Sequence, residues 1–399
     1  MSARDGTIES PPIPASGSAR ALAPDLARGF MLLFIALVNA NYFLTGTDVV
    51  RSVADQVIAL VQFTTISGRA IPLFAILFGY GMVQLMRRLQ ERDGDWAEAR
   101  RLLRRRGWWL LAIGLAHAAL VLTPDILGAY GLALLLFVGM LRVRDSILLW
   151  TAGAMMAASL MFSAILTILL ADDLDGGGAQ APSLTEEHLG RAMVERIQEW
   201  ALYTPFTLLT VVLAMVLLGI WAARRRILDE PVRHRVLLRW TAVLGLGTAF
   251  AGGLPDALIV AELWTGASAT TAGLLAVVHD VTGWAGGLGW AAVIALLAAR
   301  LQDRRGPVTT AIEAVGQRSL SCYLAQSAVF AVVFAPYFFG GSATISVTGA
   351  AVVGAATWCL TVVVADLMRR SRYRGPAETV LRRFTYSGTR FVPTSADRG

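Results

Sequence analysis

The sequence predicts an all-α polytopic membrane bundle of about ten transmembrane helices with both termini in the cytoplasm, and three observations carry that expectation. Hydrophobic residues make up 56% of the 399-residue chain and charged residues 16%, with a mean hydropathy of +0.59, too apolar for a solvated surface. Apolar runs long enough to cross ~30 Å of hydrocarbon recur along nearly the whole length, leaving no room for a large soluble domain. When ten spans are counted, every arginine-dense loop falls on one side, as the positive-inside rule requires. A count off by one would put the eight arginines of residues 87–106 outside.

All 35 basic residues are arginine. With abundant alanine and glycine, this suggests a GC-rich bacterial genome and a multi-pass protein of the bacterial inner membrane. The net charge of +7 does not imply nucleic acid, because the arginines flank apolar spans. Cys322 and Cys359 lie inside apolar segments, which argues against a disulfide framework or a metal site.

Residues 1–22 are rich in Pro, Ser, Ala and Gly without periodicity and are expected to form a disordered cytoplasmic tail. The membrane domain then spans 23–370. The first span, Leu26 to Leu44, opens with Asp25 and Arg28 on one helix face and closes near Asn39 and Asn41. In the second, Gln56 to Met86, Gly68 and Pro72 bracket Arg69, a pattern that breaks a helix and frees backbone groups toward protein.

The third span organises the rest. After the arginine cluster 104–106, an apolar run holds a single ionisable intruder, His117, before Pro124 and Asp125. At ~1.5 Å per residue His117 lies about 15 Å beyond Gly107, in the outer half of the bilayer, where an imidazole is costly unless it faces a protein-lined cavity.

The fourth and fifth spans cover Ile126 to Leu141 and Ser146 to Ala171, followed by an acidic extracytoplasmic loop, 172–199, helical in its second half. Its Asp172, Asp173 and Asp175 lack the ligand spacing of a calcium loop. The sixth span is Ala201 to Ala222, and the seventh, Trp240 to Leu263, carries Asp256. The eighth, Thr271 to Ala299, carries His279 and Asp280 at mid-depth. The ninth, Ala311 to Tyr337, places Arg318, Tyr323 and Gln326 in its inner half. The tenth, Ile345 to Met368, leads into a basic cytoplasmic tail, 371–399.

Sorted by depth, the polar groups form an outer layer of Asn39, Asn41, His117, Asp125 and Asp256, and an inner layer of Asp25, Arg28, Arg318 and Tyr323. Arg69, His279, Asp280 and Gln326 lie between. Such groups are expensive in lipid, so one shared chamber open to both sides is the expected geometry. Two chemistries fit it. His117 acts as base or acyl carrier, oriented by Asp125, between a cytoplasmic donor and an outer acceptor; or the same groups form a proton-coupled transport path. The plain alternative is interhelical hydrogen bonding in a structural bundle. Glycine-rich helix faces leave room for a homodimer.

The stretches LAPDLARGFMLLFIALVN, LFAILFGYGM, GLAH with DILGAYGL, VGQRSLSCYLAQS and YRGPAETVLRRF resemble, in that order, segments of the bacterial YeiB-like proteins, catalogued as domain of unknown function 418. The family looks like a distant member of the transmembrane acyltransferase superfamily. The resemblance implies a membrane acyltransferase that passes an acyl group, acetyl above all, from cytoplasmic acyl-CoA to a sugar or glycan beyond the membrane. It marks Asp25 and Arg28, His117, Asp125, and Arg318, Tyr323 and Gln326, with Arg28 and Arg318 drawing in the phosphates of acetyl-CoA. Arg69 has no firm place in the family pattern, so its role rests on the physical argument alone.

Overall fold

In the computed structural model, residues 22–46, 48–91, 95–169 and 181–387 are described; the expected N-terminal tail, residues 172–180 of the outer loop and the end of the basic tail lie outside them. The described chain is all-helical. α1 spans Leu22–Tyr42, α2 Val53–Thr65, α3 Ala70–Gln90, α4 Trp96–Leu120, α5 Ile126–Phe137 and α6 Asp145–Leu169. α7 is Leu189–Thr207, α8 Leu213–Arg224, α9 Arg235–Val260, α10 Ala269–Leu301, α11 Pro307–Gln317, α12 Ser319–Phe334, α13 Val347–Arg370 and α14 Pro376–Tyr386.

Helix starts follow local chemistry. Ser52, Asp95, Asp125, Ser268 and Ser346 each accept a backbone N–H three residues on, so one orphan donor of each helix is satisfied. α11 and α14 begin with proline after glycine, where the missing N–H costs nothing.

Seven helical units are long and apolar enough to cross a membrane: α1, α2–α3, α6, α7–α8, α9, α10 and α13, with two shorter apolar helices at Ile126–Arg142 and Ser319–Phe334. The ten expected spans fall on helices, but the third, on α4, is among neither the seven long units nor the two shorter apolar helices, and two others are discontinuous. The second breaks between α2 and α3 at Ser67 to Arg69, and the ninth divides into α11 and α12 at Arg318. α7 and α8 join through a π-helical turn, Leu208–Val212, three residues after Pro205. Such a turn inserts an extra residue into the helical pitch.

Burial separates centre from edge. Only 11% of the apolar window of α6 and 28% of those of α9 and α13 is buried, against 67% for α1, α2–α3 and α7–α8. The outer helices present apolar side chains such as Trp150, Val243 and Val363, which in water would be a liability and in lipid are solvated. At the centre α3 crosses α8 without side chains between them: a Cβ at Gly79 would fall on the Val216 carbonyl, and one at Gly219 on that of Ile76. Gly219→Ala is therefore expected to cost about 1–3 kcal/mol, read as a lowered unfolding midpoint in detergent; an unchanged midpoint would contradict the crossing.

Candidate functional site

α4 ends three residues after His117, and the chain turns through residues 121–124 into Asp125, the N-cap of α5. The turn folds α5 back along α4, a pairing so close that a Cβ at Gly114 would strike Asp125 and Gly128. His117 Nδ1 thereby lies 3.1 Å from Asp125 Oδ1, both side chains being all but fully buried. Asp125 Oδ2 accepts the Gly128 N–H at 2.7 Å and the Trp200 indole N–H at 3.4 Å. A carboxylate can only accept from the ring, so Nδ1 carries a proton, and in the neutral ring Nε2 keeps its lone pair. Nε2 is buried with no hydrogen-bond partner, as are the hydroxyls of Tyr130 and Tyr323. The Tyr323 ring lies 5.0 Å from the imidazole, centroid to centroid.

Next to these tyrosines is a cavity of about 270 Å³. Phe74, Phe78, Leu127 and Leu134 form its apolar wall, and Tyr130 and Tyr323 belong to its lining. Phe78 stacks on Tyr130 at 4.2 Å. Arg28, Arg88 and Arg106 also line it; Arg88 is exposed and the other two half-buried, whereas the tyrosines are fully buried. The cavity therefore runs from a cationic mouth to an aromatic floor, with His117 one ring behind it. Arg28 pairs with Asp25 at 2.8 Å. Glu378, the mouth's other carboxylate, is taken up by the Leu320 and Ser321 N–H groups at 2.8 and 3.0 Å and by the Ser321 hydroxyl. The mouth keeps a net positive charge.

A second polar centre lies at the break between α2 and α3. Gly68 adopts φ +73°, a conformation open to glycine, and a Cβ there would strike His279. Arg69 is wholly buried. Its guanidinium donates to the carbonyls of Ser67 and Ala249 and lies 2.8 Å from His279 Nε2. Nε2 also lies 3.1 Å from the Ser67 carbonyl, and Nδ1 lies 3.1 Å from Asp256 Oδ2. Asp280, next in sequence, is exposed on the bundle surface.

The expected single chamber is thus two centres. Of the sequence-marked residues, His117, Asp125 and Tyr323 come together, with Asp25 and Arg28 at the mouth of the adjoining cavity; Arg69 and His279 form the other centre, and neither lines the cavity. Tyr203 of α7 lies within electrostatic range of both Asp125 and Asp280. Tyr323, assigned by depth to the inner layer, meets His117 of the outer one. Arg318 does not face the cavity: it donates to the carbonyls of Tyr373 at 3.0 and 2.7 Å and of Ala314 at 3.2 Å. Gln326 bonds Thr361. Asn39 is half-buried, and Asn41 keeps a buried, unpartnered Oδ1. Trp200, Arg106 and Glu378 escaped sequence reasoning. Among the described residues no cluster of His, Cys, Asp or Glu could hold a metal.

Fold and site define a multi-pass helical membrane protein with a buried histidine–aspartate pair behind an arginine-lined cavity. Residues 222–388 match the family described as Protein of unknown function (DUF418). It is similar along most of its length to the Uncharacterized protein YxaH of Bacillus subtilis (strain 168), 26% identical over 405 residues that cover 91% of this chain and 93% of that protein. The matched family segment holds His279, Asp256, Tyr323 and Glu378; His117 and Asp125 precede it.

Proposed function

We propose that the protein is an acyltransferase of the bacterial inner membrane, ten-spanned with both termini cytoplasmic, that passes an acyl group from cytoplasmic acyl-CoA to an acceptor at or beyond the outer face. The observation that carries this reading is the cavity that runs from three arginines to a floor behind which His117 Nε2 has no protein partner. Its volume, about 270 Å³, falls just below the range of ligand sites, ~300–1,000 Å³. It suits the narrow thioester arm of acyl-CoA and leaves the phosphates to Arg28, Arg88 and Arg106.

His117 Nε2 takes the proton of an acceptor hydroxyl or amine as that group attacks the thioester carbonyl. The C–S bond then breaks, and the leaving thiolate receives the proton. Asp125 holds Nδ1–H and stabilises the imidazolium between the two transfers. The hydroxyls of Tyr130 and Tyr323 are available to the carbonyl oxygen as its charge develops.

Purified protein incubated with labelled acetyl-CoA is expected to bind it. Arg106→Gln should weaken binding by roughly tenfold through loss of a charge-assisted contact, and His117→Ala should bind normally and transfer nothing. Absence of binding by the unaltered protein would overturn the reading. A second reading, proton-coupled transport, draws on the buried Arg69–His279–Asp256 centre beside a helix break. It would be favoured by gradient-driven solute flux in proteoliposomes that His279→Ala abolishes.

A further inference from the structure

A second cavity, about 180 Å³, lies between α3, α8, α9 and α10. Its lining is apolar except at two points: Ile76, Leu228, Leu237 and Ala292 are joined by Trp221 and Thr241. Leu237 is 45% exposed, so the cavity opens on the lipid-facing side of the bundle. Water gains nothing in such a space, whereas a hydrocarbon chain entering from the bilayer loses nothing.

What the cavity holds is indicated by its mouth. Arg225 lies over the Trp221 ring at 5.0 Å. His234 meets the Arg225 carbonyl at 3.1 Å, and this contact brings Arg235, the next residue, to the same end of the cavity. Arg235 also stands one turn ahead of the lining residue Leu238 on α9. The neighbouring arginines are committed: Arg224 to Asp145 at 2.8 Å, Arg226 and Arg233 to Glu230 at 3.5 and 3.1 Å. Arg225 only shares Asp145, at 3.3 Å with its side chain half exposed, and Arg235 has no carboxylate partner among the described residues. The Trp221 indole N–H is buried without a partner.

An apolar slot open to lipid, with a cationic pair and one spare N–H donor at its end, matches an acyl chain, a phosphate and an ester carbonyl in that order. We infer that this cavity is a binding site for one anionic diacyl phospholipid, with a chain between α3 and α10 and the headgroup phosphate on Arg225 and Arg235. The site is separate from the arginine-lined cavity beside His117 and stands whether or not the protein transfers acyl groups.

Native mass spectrometry of the full chain in neutral detergent tests this with phosphatidylglycerol and phosphatidylcholine of identical chains. Phosphatidylglycerol should be retained at least about tenfold better, and Arg225→Gln with Arg235→Gln should remove that preference. Ala292→Leu, which fills the slot, should reduce retention of both lipids. Equal retention of the two lipids by the unaltered protein would overturn the proposal, as would an unchanged preference in the double arginine variant. Both arginines are solvent-accessible, so that variant is expected to fold.

Discussion

Asp125→Asn is expected to leave the fold standing and to silence His117. The asparagine oxygen can still accept the Gly128 N–H that caps α5, so the helix start survives. Its amide, however, offers N–H groups where the carboxylate offered lone pairs. The imidazole then keeps its own lone pair at Nδ1 and moves the proton to Nε2, the nitrogen that is buried without a partner. A base with its lone pair on the wrong side is no base. Acyl transfer should fall by about 10³–10⁴, the scale set by tautomer reversal in histidine–aspartate catalysts, while acetyl-CoA binding stays within about twofold. Nitrogen chemical shifts of the four labelled histidines would report the proton's move even if the acceptor were still unknown. Asp125→Ala tests the other function of the side chain: it removes the cap, about 1 kcal/mol, and strands a buried ring N–H, about 1–3 kcal/mol. Its unfolding midpoint should drop clearly where that of Asp125→Asn does not. Unchanged histidine shifts in Asp125→Asn would contradict the pair.

The second large effect is expected at Arg69. Arg69→Met should destabilise the protein by about 3–5 kcal/mol, the cost of leaving buried partners uncompensated, measured by thermal or denaturant unfolding in detergent. Its guanidinium ties the α2–α3 break to the carbonyl of Ala249 on α9 and to His279 on α10; a Cβ at Gly253 would run into the guanidinium and one at Gly286 into the side chain's stem. Arg69→Lys should recover little, since one ammonium on a flexible stem does not reproduce a planar fork that meets three partners at once. A midpoint within a degree of the unaltered protein would show that the guanidinium ties nothing.

How much of this was legible in the sequence depends on the range of each contact. His117 and Asp125 stand eight residues apart across a Thr-Pro turn, and both the imidazole's cost in lipid and its partner could be read locally. The break at Gly68 was equally local. Arg69's partners were not, because Ala249 and His279 lie some 180 and 210 positions away, and an apolar sequence records depth along a helix far better than direction around the bundle. The expected single chamber failed for that reason: residues of similar depth on different helices need not face one another. Trp200 reaches Asp125 from 75 positions away without any local signal. Arg318 shows the converse, since a guanidinium at a helix end looks the same in sequence whether it awaits a phosphate or covers backbone carbonyls. Glu378 could have been found: Gly375-Pro376 marks the start of α14, and an acidic residue in that first turn was a visible candidate for the cationic mouth.

The π turn between Pro205 and α8 has a geometric corollary. It works as a phase offset between two ends of one long rod: the C-terminal end meshes with α3 through Gly219, while the N-terminal end aims Trp200 at the carboxylate of Asp125. Excising a single residue from Leu208–Val212 would restore uniform winding and rotate one end against the other by about 100°. The meshing at Gly219 would hold its angle, so the indole would swing away and leave Asp125 with two partners instead of three.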